Sequence, residues 1–141
     1  MRVPAFLVRR FYVAGSLQNS DRGFELQAQN EMGEGMIVGL HRIAVDGTVI
    51  DPARITAARN GAADAVRAET ISRIAPVPVR RGDRVTIHVD GPPLAAGRHE
   101  LEVDLVERDL GALQLAITET LAEPRAERPP AEPPTAGALD G

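Results

Sequence analysis

The sequence predicts an all-β protein, an antiparallel β-sandwich or a jelly-roll-like small barrel with at most one short helix. Two observations carry this. Apolar and polar residues alternate along many short runs, the period of two of a half-buried strand. Turn signals recur roughly every ten residues, and no long segment keeps a helical period.

The elements follow in order. Phe6-Leu7-Val8-Arg9-Arg10-Phe11-Tyr12 reads as an N-terminal strand, with Val8, Arg10 and Tyr12 on one face and Leu7, Arg9 and Phe11 on the other. Ser16-Leu17-Gln18-Asn19 reads as a short strand, Ser20-Asp21-Arg22 as a tight turn, and Gly23 to Asn30 as an amphipathic strand. In that strand Phe24, Leu26 and Ala28 share one face, and Glu25, Gln27 and Gln29 the other. Met36, Val38 and Leu40 alternate, and Ile43 and Val45 continue on the opposite parity. The phase change places a β-bulge at His41-Arg42. Asp46-Gly47, before Val49-Ile50, is a hairpin turn signal. Ile55 to Ala58 reads as a strand and Asn60-Gly61 as a turn.

Ala62 to Glu69 has helical propensity, with Ile71 and Ile74 extending its apolar side and Asn60 or Asp64 as caps. The competing reading is a strand entering at Val66 to Thr70, with Ile71 and Ile74 buried. Gly82-Asp83 turns into a strand carrying Val85, Ile87 and Val89, which Asp90-Gly91-Pro92-Pro93 ends. His99, Leu101, Val103 and Leu105 alternate with Glu100, Glu102, Asp104 and Val106. A turn at Asp109 to Gly111 leads to Leu113, Leu115 and Ile117. Five of the eleven prolines fall from Ala122 onward, among interspersed Glu and Arg. Such a segment buries too little apolar area to offset its ordering entropy. The expected division is therefore a β-sandwich domain over 1–121 and a flexible tail over 122–141, with a proline-rich ligand for a partner domain as the alternative.

Composition narrows the function. With 141 residues the chain fits one domain with a core of its own. It has no cysteine, which excludes disulfides and thiolate metal sites. The formal net charge is −4 and no basic face stands out, which argues against nucleic acid as a partner. All sixteen basic residues are arginine, a bias that a GC-rich genome explains more simply than selection for bidentate contacts. No apolar run approaches the roughly 20 residues of a membrane span. Arg9-Arg10 lacks the apolar stretch a twin-arginine signal needs after it, so a cytoplasmic location is expected.

The residues hold no self-sufficient active site. His41 falls at the bulge, His88 on a solvent face beside Thr86 and Asp90, and His99 at the start of a buried face. A three-histidine site is conceivable, but no two lie at i, i+2. Glu100, Glu102 and Asp104 read as a solvated face, since like charges buried together repel. No serine sits in a nucleophile elbow. Arg9, Arg10, Phe11 and Tyr12 combine the residue types enriched at protein–protein hot spots. They and Asn19 are the candidate partner-binding residues; catalytic and metal-binding candidates are none.

The order Phe6 to Tyr12, Gly15-Ser16-Leu17-Gln18-Asn19, Gly23-Phe24-Glu25-Leu26 and Asn30 resembles the small β subunit of bacterial C-glycoside deglycosidases. Val38-Gly39-Leu40, Val45-Asp46-Gly47 with Ile50, and Leu94 to His99 are compatible with it. The resemblance covers residues 3 to 120 and has no catalytic signature. It implies a hetero-oligomeric lyase that cleaves the C–C bond of 3-oxo-C-glucosides by elimination. It also implies that the divalent metal, manganese, and the general base reside in a larger α subunit like the sugar-isomerase barrels. This chain would bind and stabilise that subunit, be inactive alone, and hold no cofactor. The competing expectations are a stand-alone carbohydrate-binding β-sandwich, for which four N-terminal aromatics make a poor platform, and a small metal enzyme built on His41, His88 or His99.

Overall fold

The computed structural model describes residues 1–60 and 65–122. A short helix, α1 (Ala5–Val8), precedes ten strands. These are β1 (Gln18–Ser20), β2 (Gly23–Gln29), β3 (Gly35–Val45), β4 (Thr48–Val49), β5 (Ile55–Arg59), β6 (Val66–Arg67), β7 (Val77–Val79), β8 (Arg84–Asp90), β9 (Gly97–Glu107) and β10 (Gly111–Leu121). They form two antiparallel sheets. One has the order β1-β2-β8-β5-β6; the other runs β10-β9-β3-β4, with β7 also pairing β3. The inner faces meet in one core. Phe24, Leu26, Ile55, Ile87 and Val89 come from the first sheet, and Ile43, Leu101, Val103, Leu113 and Leu115 from the second. The all-β expectation holds.

Local chemistry explains the connections. Asp46 and Gly47 take φ of 51° and 85°, the left-handed pair of a two-residue hairpin, and Val45 pairs with Thr48 across it. The register of β3 on β9 slips where His41 is inserted, between the Leu40–Leu105 and Arg42–Asp104 pairs, at the expected bulge. A second slip, at Val38, lies between the Ile37 and Gly39 pairs; it puts Val38 and Leu40, as well as Gly39, among buried residues. On the outer face of β9, Arg42 bonds Glu102 at 2.7 Å and Asp104 at 3.2 Å, which offsets the repulsion of that acidic row.

Three expectations are corrected. The Phe6 to Tyr12 run is not a strand: Ala5–Val8 is helical, and the turn continues through Arg10 N–H to Leu7 O and Tyr12 N–H to Val8 O. Residues four apart share a face at both periods, so Val8 with Tyr12 and Leu7 with Phe11 fit either reading. Pro4 leads the chain in with φ −57° and ψ 147°. In the middle segment, the residues from 65 on are not helical. Val66–Arg67 pair with Thr56 and Ala57, and a 3-10 turn follows at Ala68–Thr70. Pairing to the edge of β5 overrides alanine propensity. Ile71 is buried as the strand reading requires, but Ile74 is 96% exposed. Gly61 of the second turn, the rest of 61–64, and the tail over 123–141 lie outside the described residues.

The first thirteen residues join the sheets. Val3 N–H donates to Gln114 O and Gln114 N–H to Met1 O, a parallel bridge on the outer edge of β10. Val13 N–H then donates to Gln27 O and Gln29 N–H to Phe11 O, on the edge of β2 beyond β1. α1 lies between and packs on β10, with Val8 buried beneath it. No helix among the described residues is long and apolar enough to cross a membrane.

Candidate functional site

The candidate partner residues divide by face. On the α1 turn, Arg9 and Arg10 are exposed, and Phe6 beside them is 75% exposed. Positions 6, 9 and 10 follow the i, i+3, i+4 spacing of one helical face. Phe11 and Tyr12 point the other way, into the wall of an internal cavity. Tyr12 is buried, and its hydroxyl has no hydrogen-bond partner among the described residues. Burial pushes its pKa up to about 12, and the Glu119 carboxylate adds to this. Asn19 is exposed, but its amide is engaged: Nδ2 donates to Leu94 O at 2.9 Å, and Leu94 N–H donates to Oδ1 at 2.9 Å. It ties the β1 edge to the loop before β9.

The cavity has a volume of about 380 Å³. It lies between the sheets at the end where β2 stops, β3 and β8 begin, and β9 turns into β10. Its walls are Leu26, Leu40, Ala57, Ile87, Leu105, Leu113 and their neighbours. A sealed apolar void of that volume would cost roughly 9 kcal/mol at about 24 cal/mol per Å³, as much as a domain's whole stability. The cavity is partly open to solvent, which relieves part of this cost and leaves wetted apolar wall.

The rim of the cavity is polar and tied down. Glu107 is buried; its Oε2 accepts from Met36 N–H at 2.9 Å and its Oε1 from Asp109 and Leu110 N–H, each at 2.8 Å. Burial alone would raise its pKa, but these three donors, with Arg108 nearby, outweigh it and hold the carboxyl below its ordinary value. Asn30 Nδ2 donates to Val79 O at 3.1 Å and to Gly33 O, and its Oδ1 accepts from Met32 N–H at 3.1 Å.

The histidines do not meet. His41 is exposed at the bulge. His88 is on the outward face but only 17% exposed, covered by Asp90 Oδ1 at 3.0 Å from Nε2 and Glu25 Oε1 at 3.8 Å from Nδ1. His99 is buried, with Nδ1 2.7 Å from Asp46 Oδ2 and Nε2 2.7 Å from Ala95 O. Among the described residues, no group of three or more His, Asp or Glu is placed to hold a metal ion.

Sequence reasoning missed the cavity, Glu107 and the His99–Asp46 pair. The alternation did signal Glu107, which is in phase with Leu101, Val103 and Leu105. No curated protein matches the chain in sequence. A family model for the hydroxymethylglutaryl-CoA reductase N-terminal domain matches residues 7–122, from α1 to the end of β10. With that match running through nearly every element of the sandwich, the chain belongs to the hydroxymethylglutaryl-CoA reductase N-terminal domain family.

Proposed function

We propose that this chain is an accessory domain that docks on a larger catalytic partner and does not itself carry the reaction. The observation that carries this reading is the outward face of the α1 turn. A 75% exposed Phe6 stands there beside exposed Arg9 and Arg10, and aromatics and arginine are the types that anchor interfaces. Burying Phe6 in a partner recovers the cost of holding an aromatic in water. The resemblance around Gly15 to Asn19 and Gly23 to Leu26 supports a C-glycoside deglycosidase as the assembly. The partner is then the metal-binding barrel α subunit, which cleaves 3-oxo-C-glucosides by elimination, and the setting is cytoplasmic.

The test is co-expression of the full chain with such a barrel subunit, followed by size-exclusion chromatography and assay of 3-oxo-C-glucoside cleavage. A stable complex with cleavage activity is expected. Phe6→Ser and Arg10→Glu should each weaken it by tenfold or more, about 1.4 kcal/mol, with thermal unfolding unchanged. A monodisperse monomer that ignores the barrel subunit overturns the reading.

The family match favours a second setting, in which the same docking face serves the catalytic part of a hydroxymethylglutaryl-CoA reductase. Pairing the chain with that catalytic part and assaying hydroxymethylglutaryl-CoA reduction separates the two.

A further inference from the structure

We propose that the cavity between the sheets is a binding site for a small, uncharged, largely apolar molecule of two or three rings. The site is independent of the docking role. Its volume of about 380 Å³ falls within the range of roughly 300–1,000 Å³ that small-molecule sites occupy. Leu26, Leu40, Ile87 and Leu105 supply apolar wall. At the mouth, Met32 and Leu110 are 55% and 56% exposed, apolar surface that an entering molecule would cover.

The rim selects the charge. Glu34, Asp83, Glu107 and Asp109 lie among the lining residues, and none of the described lining residues is Arg or His. Asp83 pairs with Arg59 at 3.9 Å and Asp109 with Arg108 at 3.5 Å, both arginines lying just outside the lining, so an anionic head group would have to be desolvated beside arginines already committed to carboxylates. Glu107 and Asn30 already spend their polar atoms on backbone partners, so the rim is held in place before anything binds. A pre-formed rim lowers the ordering cost of binding.

The experiment uses the full chain and a pair of fluorescent probes with the same ring system. N-phenyl-1-naphthylamine is neutral; 1-anilinonaphthalene-8-sulfonate adds one negative charge. The neutral probe should bind saturably, one per chain. The sulfonated probe should bind at least about tenfold more weakly, because its charge must be desolvated beside the carboxylates. Ala28 and Ala57 both line the cavity from the first sheet. Ala28→Phe and Ala57→Leu should each cut binding of the neutral probe about tenfold or more by filling the volume, with the thermal transition held or raised. The probe pair on the unaltered chain decides the matter even where a filled variant does not fold. Equal affinity for the two probes, no saturable binding, or unchanged binding in a folded filled variant overturns the proposal. So does neutral-probe binding that falls as the chain dimerises with rising concentration, which would give the cavity to a second copy.

Discussion

Both ring nitrogens of His99 face acceptors, the Asp46 carboxylate and the Ala95 carbonyl, each at 2.7 Å. Only the imidazolium has a proton for each. The Ala95 carbonyl and then Asp46 accordingly raise the pKa of His99 above its ordinary 6.5, against the effect of burial. Asp46 is held below its ordinary value by the Glu100 N–H first and His99 second. For a raised histidine the stabilisation is complete below 6.5 and is lost as pH climbs through the folded-state value. Unfolding measured by denaturant should therefore show stability falling as pH rises above about 6.5. His99→Gln, which cannot titrate, should flatten that slope, and an unchanged slope in the variant would assign the pH dependence elsewhere. Glu107 behaves in the opposite sense: its lowered pKa stabilises above 4.5 and the contribution fades as pH falls through the folded-state value. Glu107→Gln can still accept from Asp109 and Leu110 through its oxygen. It turns an NH₂ toward Met36 N–H, and the unpaired donor should cost about 1–3 kcal/mol, read as a lower denaturant midpoint at constant slope.

At the scale of elements, turns decide most of the sandwich. Gly23 opens β2 with φ of 152°, and a Cβ built there would lie 1.9 Å from Val89 O on β8. Neither the dihedral nor the neighbouring strand tolerates a side chain, since Val89 is fully buried. Gly23→Ala should cost about 2 kcal/mol or more from backbone strain and strand displacement. Gly47→Ala, with open space around it, should cost less; comparing their melting temperatures checks the ranking. Most of these elements could be read from the chain because their signals are local. Asp46-Gly47 names its own turn, Val85-Thr86-Ile87-His88-Val89 its own faces, and the parity change at His41 its own bulge. The exceptions depend on distant residues. Val66–Arg67 became a strand because β5 offered an edge. Asn19 lost its freedom to Leu94, 75 residues away. The exposure of Arg9 and Arg10 was legible from polarity, but the cavity was not: alternation marks an inner face without saying how closely the opposite sheet approaches.

The whole molecule depends on how its two sheets are held along one side. An outer strand such as β10 presents unpaired N–H and C=O groups that invite pairing with another chain. Here the segment Met1 to Val13 covers part of that edge through Val3 and Gln114, then crosses to cover β2 through Phe11 and Val13. Between the two edges it buries Val3, Val8 and Tyr12. One strip of chain thus caps two edges and supplies core residues. Its outer face carries Phe6, Arg9 and Arg10, so docking of a partner there would clamp the sandwich as well as bind it. Deleting residues 1–13 should accordingly do two separable things. It should lower the melting temperature, because three buried side chains worth roughly 1.5–3 kcal/mol each for the large apolar ones are removed. It should also promote self-association through the uncovered edge of β10, seen as a concentration-dependent rise in light scattering below the melting temperature. Val8→Ala keeps the edge cover and creates only a cavity. It should lower stability by about 1–3 kcal/mol, seen as a lower melting temperature, without the scattering. Equal scattering from both variants would show that lost core packing, not the uncovered edge, drives the association.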